Sequence, residues 1–180
     1  MNLQDKDKKA LIVIDVQKYF LTDETKGIVK KIQIYLSDSS NQYDKIYFTI
    51  FKNDPSGPVW QISEWKDCTD SPDTDICDEL RKFVNDKNLF YKNIYSAFKV
   101  PEIKQEIRKN SIQEVHLCGF DTDCCVLATA YDLFDQGIKT VILENLTYST
   151  SKDKLHNPAI KMIKRNIGFI QTAKKASKKA

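Results

Sequence analysis

Cys118-Gly119-Phe120-Asp121-Thr122-Asp123-Cys124-Cys125-Val126 decides how this chain folds. The residues leading into it, Val115 to Cys118, are an apolar-leaning strand that stops at Gly119. A short polar turn follows, and a helical pattern begins at Cys125. A strand that passes through a tight turn into a helix is the unit from which α/β sheets are built. A thiol at the head of that helix meets unpaired backbone N–H groups and the positive end of the dipole. Such surroundings lower a cysteine pKa and favour a thiolate nucleophile at Cys125.

The same alternation extends in both directions. Ala10 to Val16 (A-L-I-V-I-D-V) is a near-continuous apolar run, as expected of a strand buried on both faces. Ile28, Ile32, Tyr35 and Leu36 recur at helical spacing until the polar Ser37–Asn41 stretch. Lys45–Phe51 and Asn88–Lys92 read as further strands, and Pro101 suits the first turn of the next helix. After the strand Glu114–Gly119, Val126, Ala130, Leu133 and Phe134 mark a helix ended by Gly137. Thr140–Leu143 is a fifth strand. Leu155, Ala159, Met162 and Ile163 form a helical stripe whose start Pro158 is expected to delay or kink. Gly168–Gln171 reads as a short last strand. The whole pattern predicts an α/β fold, a three-layer αβα sandwich around a mostly parallel six-stranded sheet. Lys52–Lys87 departs from it, holding three of the five prolines and both tryptophans, and is expected to shape a pocket wall. One domain over 1–172 is expected, followed by a basic, flexible tail over 173–180.

Composition narrows the function classes. The net charge of +3 comes from the tail: without Lys174, Lys175, Lys178 and Lys179 the 28 basic residues fall to 24 against 25 acidic. A basic nucleic-acid face is therefore not expected. No apolar run is long enough to cross a bilayer, and the charged N-terminus does not read as a signal peptide, so a cytoplasmic location is expected. Five cysteines, an odd number with no C-x-x-C, point to free thiols in a reducing compartment. With His116 and His156 the only histidines, a His-rich zinc site is not expected, nor is any cofactor.

In an open α/β sheet, ligands bind beyond the carboxyl ends of the strands. Asp15, Lys92 and Cys125 all fall at such ends. Each has an ordinary alternative: a turn carboxylate, a solvated lysine, a small buried thiol. Together they make a nucleophile set, with Asp15 to take the thiol proton and Lys92 to hold negative charge.

Three ordered motifs make the chain recognisable. Ala10–Phe20 (A-L-I-V-I-D-V-Q-K-Y-F) carries D-x-Q-x-x-F, Lys92–Phe98 (K-N-I-Y-S-A-F) matches K-x-x-Y-S-A-F, and Gly119–Val126 matches G-V-x-T-x-x-C-V. The chain resembles the isochorismatase-like cysteine hydrolase superfamily, which includes nicotinamidases, N-carbamoylsarcosine amidohydrolases and isochorismatases. That resemblance implies a catalytic triad of Asp15, Lys92 and Cys125 and a cis peptide bond between Phe120 and Asp121. It implies an oxyanion site made by the backbone N–H groups of Asp121 and Cys125. It also implies the sheet order 3-2-1-4-5-6 and assembly as a homodimer or homotetramer. Cys124 precedes the motif cysteine by one position, which on a helix turns it about 100° away. Nicotinamidases of the family bind a divalent metal through an Asp and histidines after the second strand. Here that stretch is Thr49-Ile50-Phe51-Lys52-Asn53-Asp54, without histidine, so no metal is expected.

The implied activity is cleavage of a C–N bond in a small amide, ureide or carbamoyl substrate through a thioester. Isochorismatase-type hydrolysis of a non-amide substrate, a non-catalytic binding or assembly protein, and a Cys124/Cys125 redox protein are the alternatives. Phe20, Trp60, Trp65 and Tyr95 are the expected pocket aromatics, with Tyr148, Ser149 and Ser151 on the pocket side. Lys52 is a candidate partner for a substrate carboxylate, whereas His116 and His156 are expected to be structural.

Overall fold

The structure, a computed structural model, describes residues 7–174. Its sheet contains β1 (Lys9–Ile14), β2 (Lys45–Phe51), β3 (Leu89–Lys92), β4 (Glu114–Gly119), β5 (Lys139–Thr147) and β6 (Ile170–Gln171). The strands lie in the order β3-β2-β1-β4-β5-β6, and every pairing is parallel. The helices are α1 (Lys26–Ser39), α2 (Pro58–Ile62), α3 (Pro101–Lys109), α4 (Leu127–Asp135) and α5 (Asp153–Asn166). The strand order reverses between β1 and β4, so right-handed crossovers send α1 to one face and α3, α4 and α5 to the other.

The burial pattern of β1 shows why its sequence is apolar throughout. Ala10, Ile12 and Ile14 pack with Ile103, Ala130, Leu133 and Ile163 on the face of α3–α5. Leu11 and Val13 point the other way, onto Val29, Ile32 and Leu36 of α1. All five of these β1 residues are completely inaccessible to solvent. Each contributes roughly 1.5–3 kcal/mol of burial free energy, less for Ala10. This buried central strand leads directly into Asp15.

Several elements differ from expectation. β5 runs to Thr147, beyond the apolar T-V-I-L core, because a register shift after Leu117 lets Gly119 pair with Thr147. The buried stripe of α5 is His156, Ala159, Ile160 and Ile163, whereas Leu155 and Met162 are exposed. Pro158 lies inside this helix without ending it. Its ring is on the exposed face, where the carbonyl one turn earlier can turn to water. Phe134 on α4 is 46% exposed and is not a core residue. The chain also stays attached past residue 172: Asn145 donates to the Ala173 carbonyl and accepts from its N–H. The rest of the expected basic tail, residues 175–180, lies outside the described residues. Among the described residues, no helix is long and apolar enough to cross a membrane.

The excursion between β2 and β3 is tied to the sheet by Gln17. Its side-chain amide donates to the carbonyls of Phe51 and Asp73 and accepts from the Phe51 N–H. Gln17 is completely buried and also bridges to Ile76. One polar side chain thus fixes the end of β2 against the loop that walls the site.

Candidate active site

Gly119 closes β4 with φ +110°, and a Cβ there would lie 2.1 Å from the Ile14 carbonyl oxygen. Glycine is therefore required for β4 to run this close to the end of β1. The Phe120–Asp121 peptide bond that follows is cis. Thr122–Val126 then forms a single π-helical turn, in which the N–H groups of Cys124 and Val126 both donate to the Asp121 carbonyl. Behind the turn, Thr122 Oγ1 meets Thr147 Oγ1 at 3.0 Å and His156 Nδ1 at 2.9 Å. Thr147 in turn donates to the Gly119 carbonyl at 2.7 Å.

This turn brings Cys125 to Lys92, and Lys92 reaches Asp15. The Lys92 ammonium lies 2.7 Å from Asp15 Oδ2 and 3.3 Å from Cys125 Sγ. Its remaining proton is donated to the Ile94 carbonyl at 3.1 Å. Asp15 sits just past β1 with φ +51°. Its Oδ1 accepts from the Thr49 hydroxyl at 2.7 Å, and its N–H donates to the Thr49 carbonyl at 3.0 Å. Lys92 and Asp15 have no exposed side-chain surface. Three chain segments therefore deliver an acid, an ammonium and a thiol to one dry point.

Burial and neighbouring charge act in opposite directions on the three groups. Burial pulls the Lys92 ammonium down, but the charges of Asp15 and Cys125 outweigh it and leave its pKa raised. The adjacent Cys124 and complete burial push the Cys125 thiol well above its ordinary range, although Lys92 pulls it the other way. Cys124 is instead lowered, first by its hydrogen bond with Cys125. At rest the Lys92–Asp15 ion pair stands beside a Cys125 thiol whose pKa is held up by burial and by Cys124. Burial disfavours the charged form and so opposes the lowering that a helix N-terminus exerts on a thiol.

Cys125 opens onto a cavity of about 420 Å³. Phe20, Trp65 and Tyr95 line it as expected. Trp60 does not: it lies outside the lining, with the Lys66 ammonium over its ring at 5.2 Å. Tyr19 and Phe51 also line the cavity, as do Asp121 and Thr150. Phe51 is the last residue of β2, so the rule that ligands gather at carboxyl ends of strands was the signal for it. Nothing in the sequence marks Thr150, which reaches the cavity because Asp121 Oδ1 and Oδ2 accept from its N–H and hydroxyl. The other expected pocket-side residues are committed elsewhere. Tyr148 donates to Asp153, the Ser149 hydroxyl receives the Asp123 N–H, and Ser151 donates to Asp123. Lys52 pairs with Asp70 at 3.3 Å.

The stretch after β2 offers one carboxylate, Asp54, and no histidine. Phe51 stacks on Trp65 at 5.4 Å between ring centres, and Asn53 donates to the Trp65 carbonyl. The Asp54 carboxylate is taken by Ser56 and Asn93. His116 and His156 are buried at Glu114 and Thr122 respectively. Among the described residues, no three His, Cys, Asp or Glu side chains cluster as metal ligands would.

Comparison with known proteins places this geometry in a family. The Isochorismatase domain family matches residues 9–175. The nicotinamidase/pyrazinamidase of Mycobacterium tuberculosis is 27% identical over 166 residues, covering 81% of this chain and 89% of that one. An uncharacterized isochorismatase family protein of Bacillus subtilis is 33% identical over 75 residues, 41% of each chain. The crystal structure of the pyrazinamidase/nicotinamidase of Streptococcus mutans superposes with a TM-score of 0.78 at 26% identity, covering 91% of this chain and all of that one. The family match takes in every strand of the sheet together with Asp15, Lys92 and Cys125, and so the chain belongs to the isochorismatase family of hydrolases.

Proposed function

We propose that this protein is a metal-independent cysteine hydrolase that cleaves the C–N bond of a small amide, ureide or carbamoyl substrate. The observation that carries this reading is the completely buried Lys92 ammonium bridging Asp15 at 2.7 Å and Cys125 at 3.3 Å beside an open cavity. Two relatives named as nicotinamidases, matched along most of the chain, support amide hydrolysis as the reaction type.

The chemistry follows from the placement of the Lys92 ammonium between Asp15 and Cys125. As Cys125 Sγ bonds to the substrate carbonyl carbon, its proton passes to Asp15, and the Lys92 ammonium stabilises the charge moved between them. The carbonyl oxygen becomes an oxyanion facing the N–H groups of Asp121 and Cys125. Among the described residues, no backbone carbonyl accepts the Asp121 N–H, which leaves it available. Asp15 returns the proton to the leaving nitrogen, the C–N bond breaks, and a thioester remains on Cys125. Asp15 then deprotonates a water that attacks the thioester, and Cys125 departs with the proton, restoring the starting state.

The test is release of ammonia from a panel of small amides and ureides, with and without a chelator. Wild type is expected to hydrolyse at least one member equally well in both. Cys125→Ala is expected to lose at least about a thousandfold in rate, the scale seen when a nucleophile is removed. Cys124→Ala is expected to keep most of it. Activity that survives Cys125→Ala, or that the chelator abolishes, would overturn the reading.

A further inference from the structure

The cavity beside Cys125 has rings on its walls and charge of one sign. Tyr19, Phe20, Phe51, Trp65 and Tyr95 supply aromatic surface, and Asp121 supplies a carboxylate. No lysine, arginine or histidine is among the described residues that line it. The nearest cation, Lys92, cannot serve a ligand, because all three of its protons are committed to Asp15, Cys125 and Ile94. The lysines of the surrounding loops are engaged as well. Lys52 is on Asp70, Lys152 on Glu24, and Lys66 on the carbonyls of Trp60 and Ser63. The polar edge of the aromatic wall also ends on a carboxylate. Tyr19 accepts from Trp65 Nε1 at 2.9 Å and donates to Asp67 at 3.1 Å.

A substrate carboxylate entering here would leave water, meet no cation, and lie against ring faces and Asp121, all of which oppose negative charge. A cation would meet the same ring faces and Asp121 as attractive partners. We propose that this cavity selects its substrate by charge, admitting planar amides whose remainder is cationic or uncharged and rejecting those that carry an anion. The proposal deepens the preceding one and rests on it, since it takes this cavity as the substrate site of the hydrolase. It makes Asp121 a specificity-determining residue through its side chain, in addition to the part assigned to its N–H.

Three nearly isosteric carboxamides separate the charge from the shape: 3-carbamoyl-1-methylpyridinium, 3-methylbenzamide and 3-carbamoylbenzoate. Their binding to Cys125→Ala would be measured by titration calorimetry at pH 8, and their hydrolysis by wild type under the same conditions. The pyridinium is expected to bind about tenfold more tightly than the neutral amide, and the benzoate about tenfold more weakly than it. Adding Asp121→Asn is expected to shrink the cation-to-anion ratio by about tenfold. Cys125→Ser serves for the same comparison if the alanine variant does not fold. Equal binding of all three, tightest binding of the benzoate, or binding of none would overturn the inference. The two proposals fail separately. The charge order with no hydrolysis by wild type of these amides or of any member of the panel sinks the hydrolase reading and leaves the charge preference of the cavity standing, whereas hydrolysis without the order does the reverse.

Discussion

Lys92 is the residue on which the site depends. A buried ammonium is stable here because Asp15 lies 2.7 Å away, and the carboxylate depends equally on the ammonium. Removing one partner strands the other charge, which typically costs about 3–5 kcal/mol, whereas replacing both is often close to neutral. Lys92→Met is therefore expected to destabilise the fold by about that amount, and Asp15→Asn introduced with it is expected to recover much of the loss. Chemical denaturation of wild type, both single variants and the double variant measures this. Strictly additive losses would show that the two charges do not depend on each other. The pairing of Asp15, Lys92 and Cys125 was legible in the sequence because each stands at, or a short turn beyond, the carboxyl end of a strand. The upward pull on the Cys125 thiol was not, because it depends on a depth of burial that local sequence does not report. Trp60 and Trp65 show the same limit: both lie in the excursion, but only Trp65 packs on Phe51 and bonds to Tyr19, which puts it in the cavity wall.

The turn between β4 and α4 is held from behind by α5 and β5. Thr122 is the junction, touching His156 and Thr147 while its N–H donates to the Tyr148 carbonyl. Thr122→Val keeps the shape but removes the hydroxyl, leaving His156 Nδ1 buried without its partner. The expected cost is about 1–3 kcal/mol, with Thr122→Ser restoring most of it. Urea denaturation of the two variants decides the point, and a valine variant as stable as wild type would mean that the hydroxyl contributes nothing. Strand and helix order along the chain was readable from apolar periodicity, and the sheet order was implied by the family resemblance. The extension of β5 to Thr147 and the π-helical turn at Thr122–Val126 were not readable. The first goes with the register shift after Leu117, a property of two strands together, and the second with the Asp121 carbonyl accepting from both Cys124 and Val126. The buried stripe of α5 was misplaced for a related reason. His156 faces inward because Thr122 is there to bond it, and a polar residue is not counted when a stripe is sought by hydrophobicity.

The sheet has its chemistry at one end and a buried polar clamp at the other. Glu114 on β4 accepts from Lys9 on β1 at 2.9 Å and from Lys139 on β5 at 2.6 Å, joining three neighbouring strands. Its Oε1 also meets His116 Nε2 at 2.7 Å, and His116 Nδ1 meets the Tyr43 hydroxyl at 2.8 Å. Tyr43 continues to Tyr35 of α1 at 2.7 Å, so the clamp reaches from the sheet into a helix layer. Burial raises the Glu114 carboxyl, but bonds from Lys139, Lys9 and His116 outweigh it and bring the pKa down to about 2, from an ordinary 4.5. A depressed carboxyl contributes stability above its unfolded value and loses it as pH falls from about 4.5 toward about 2. His116 is also lowered, chiefly by burial, so its neutral form is favoured and its contribution fades as pH falls below its ordinary 6.5. Both groups therefore weaken the fold in acid. Glu114→Gln is expected to melt below wild type at neutral pH, because Lys9 and Lys139 lose their counter-charge. That difference should narrow steadily below about pH 4.5, where the wild-type carboxyl takes up its proton during unfolding. Melting curves followed by circular dichroism from pH 7 to pH 3 test it. A difference that stays constant across the range would place the cost of the substitution in packing, and Glu114 would not be an electrostatic clamp.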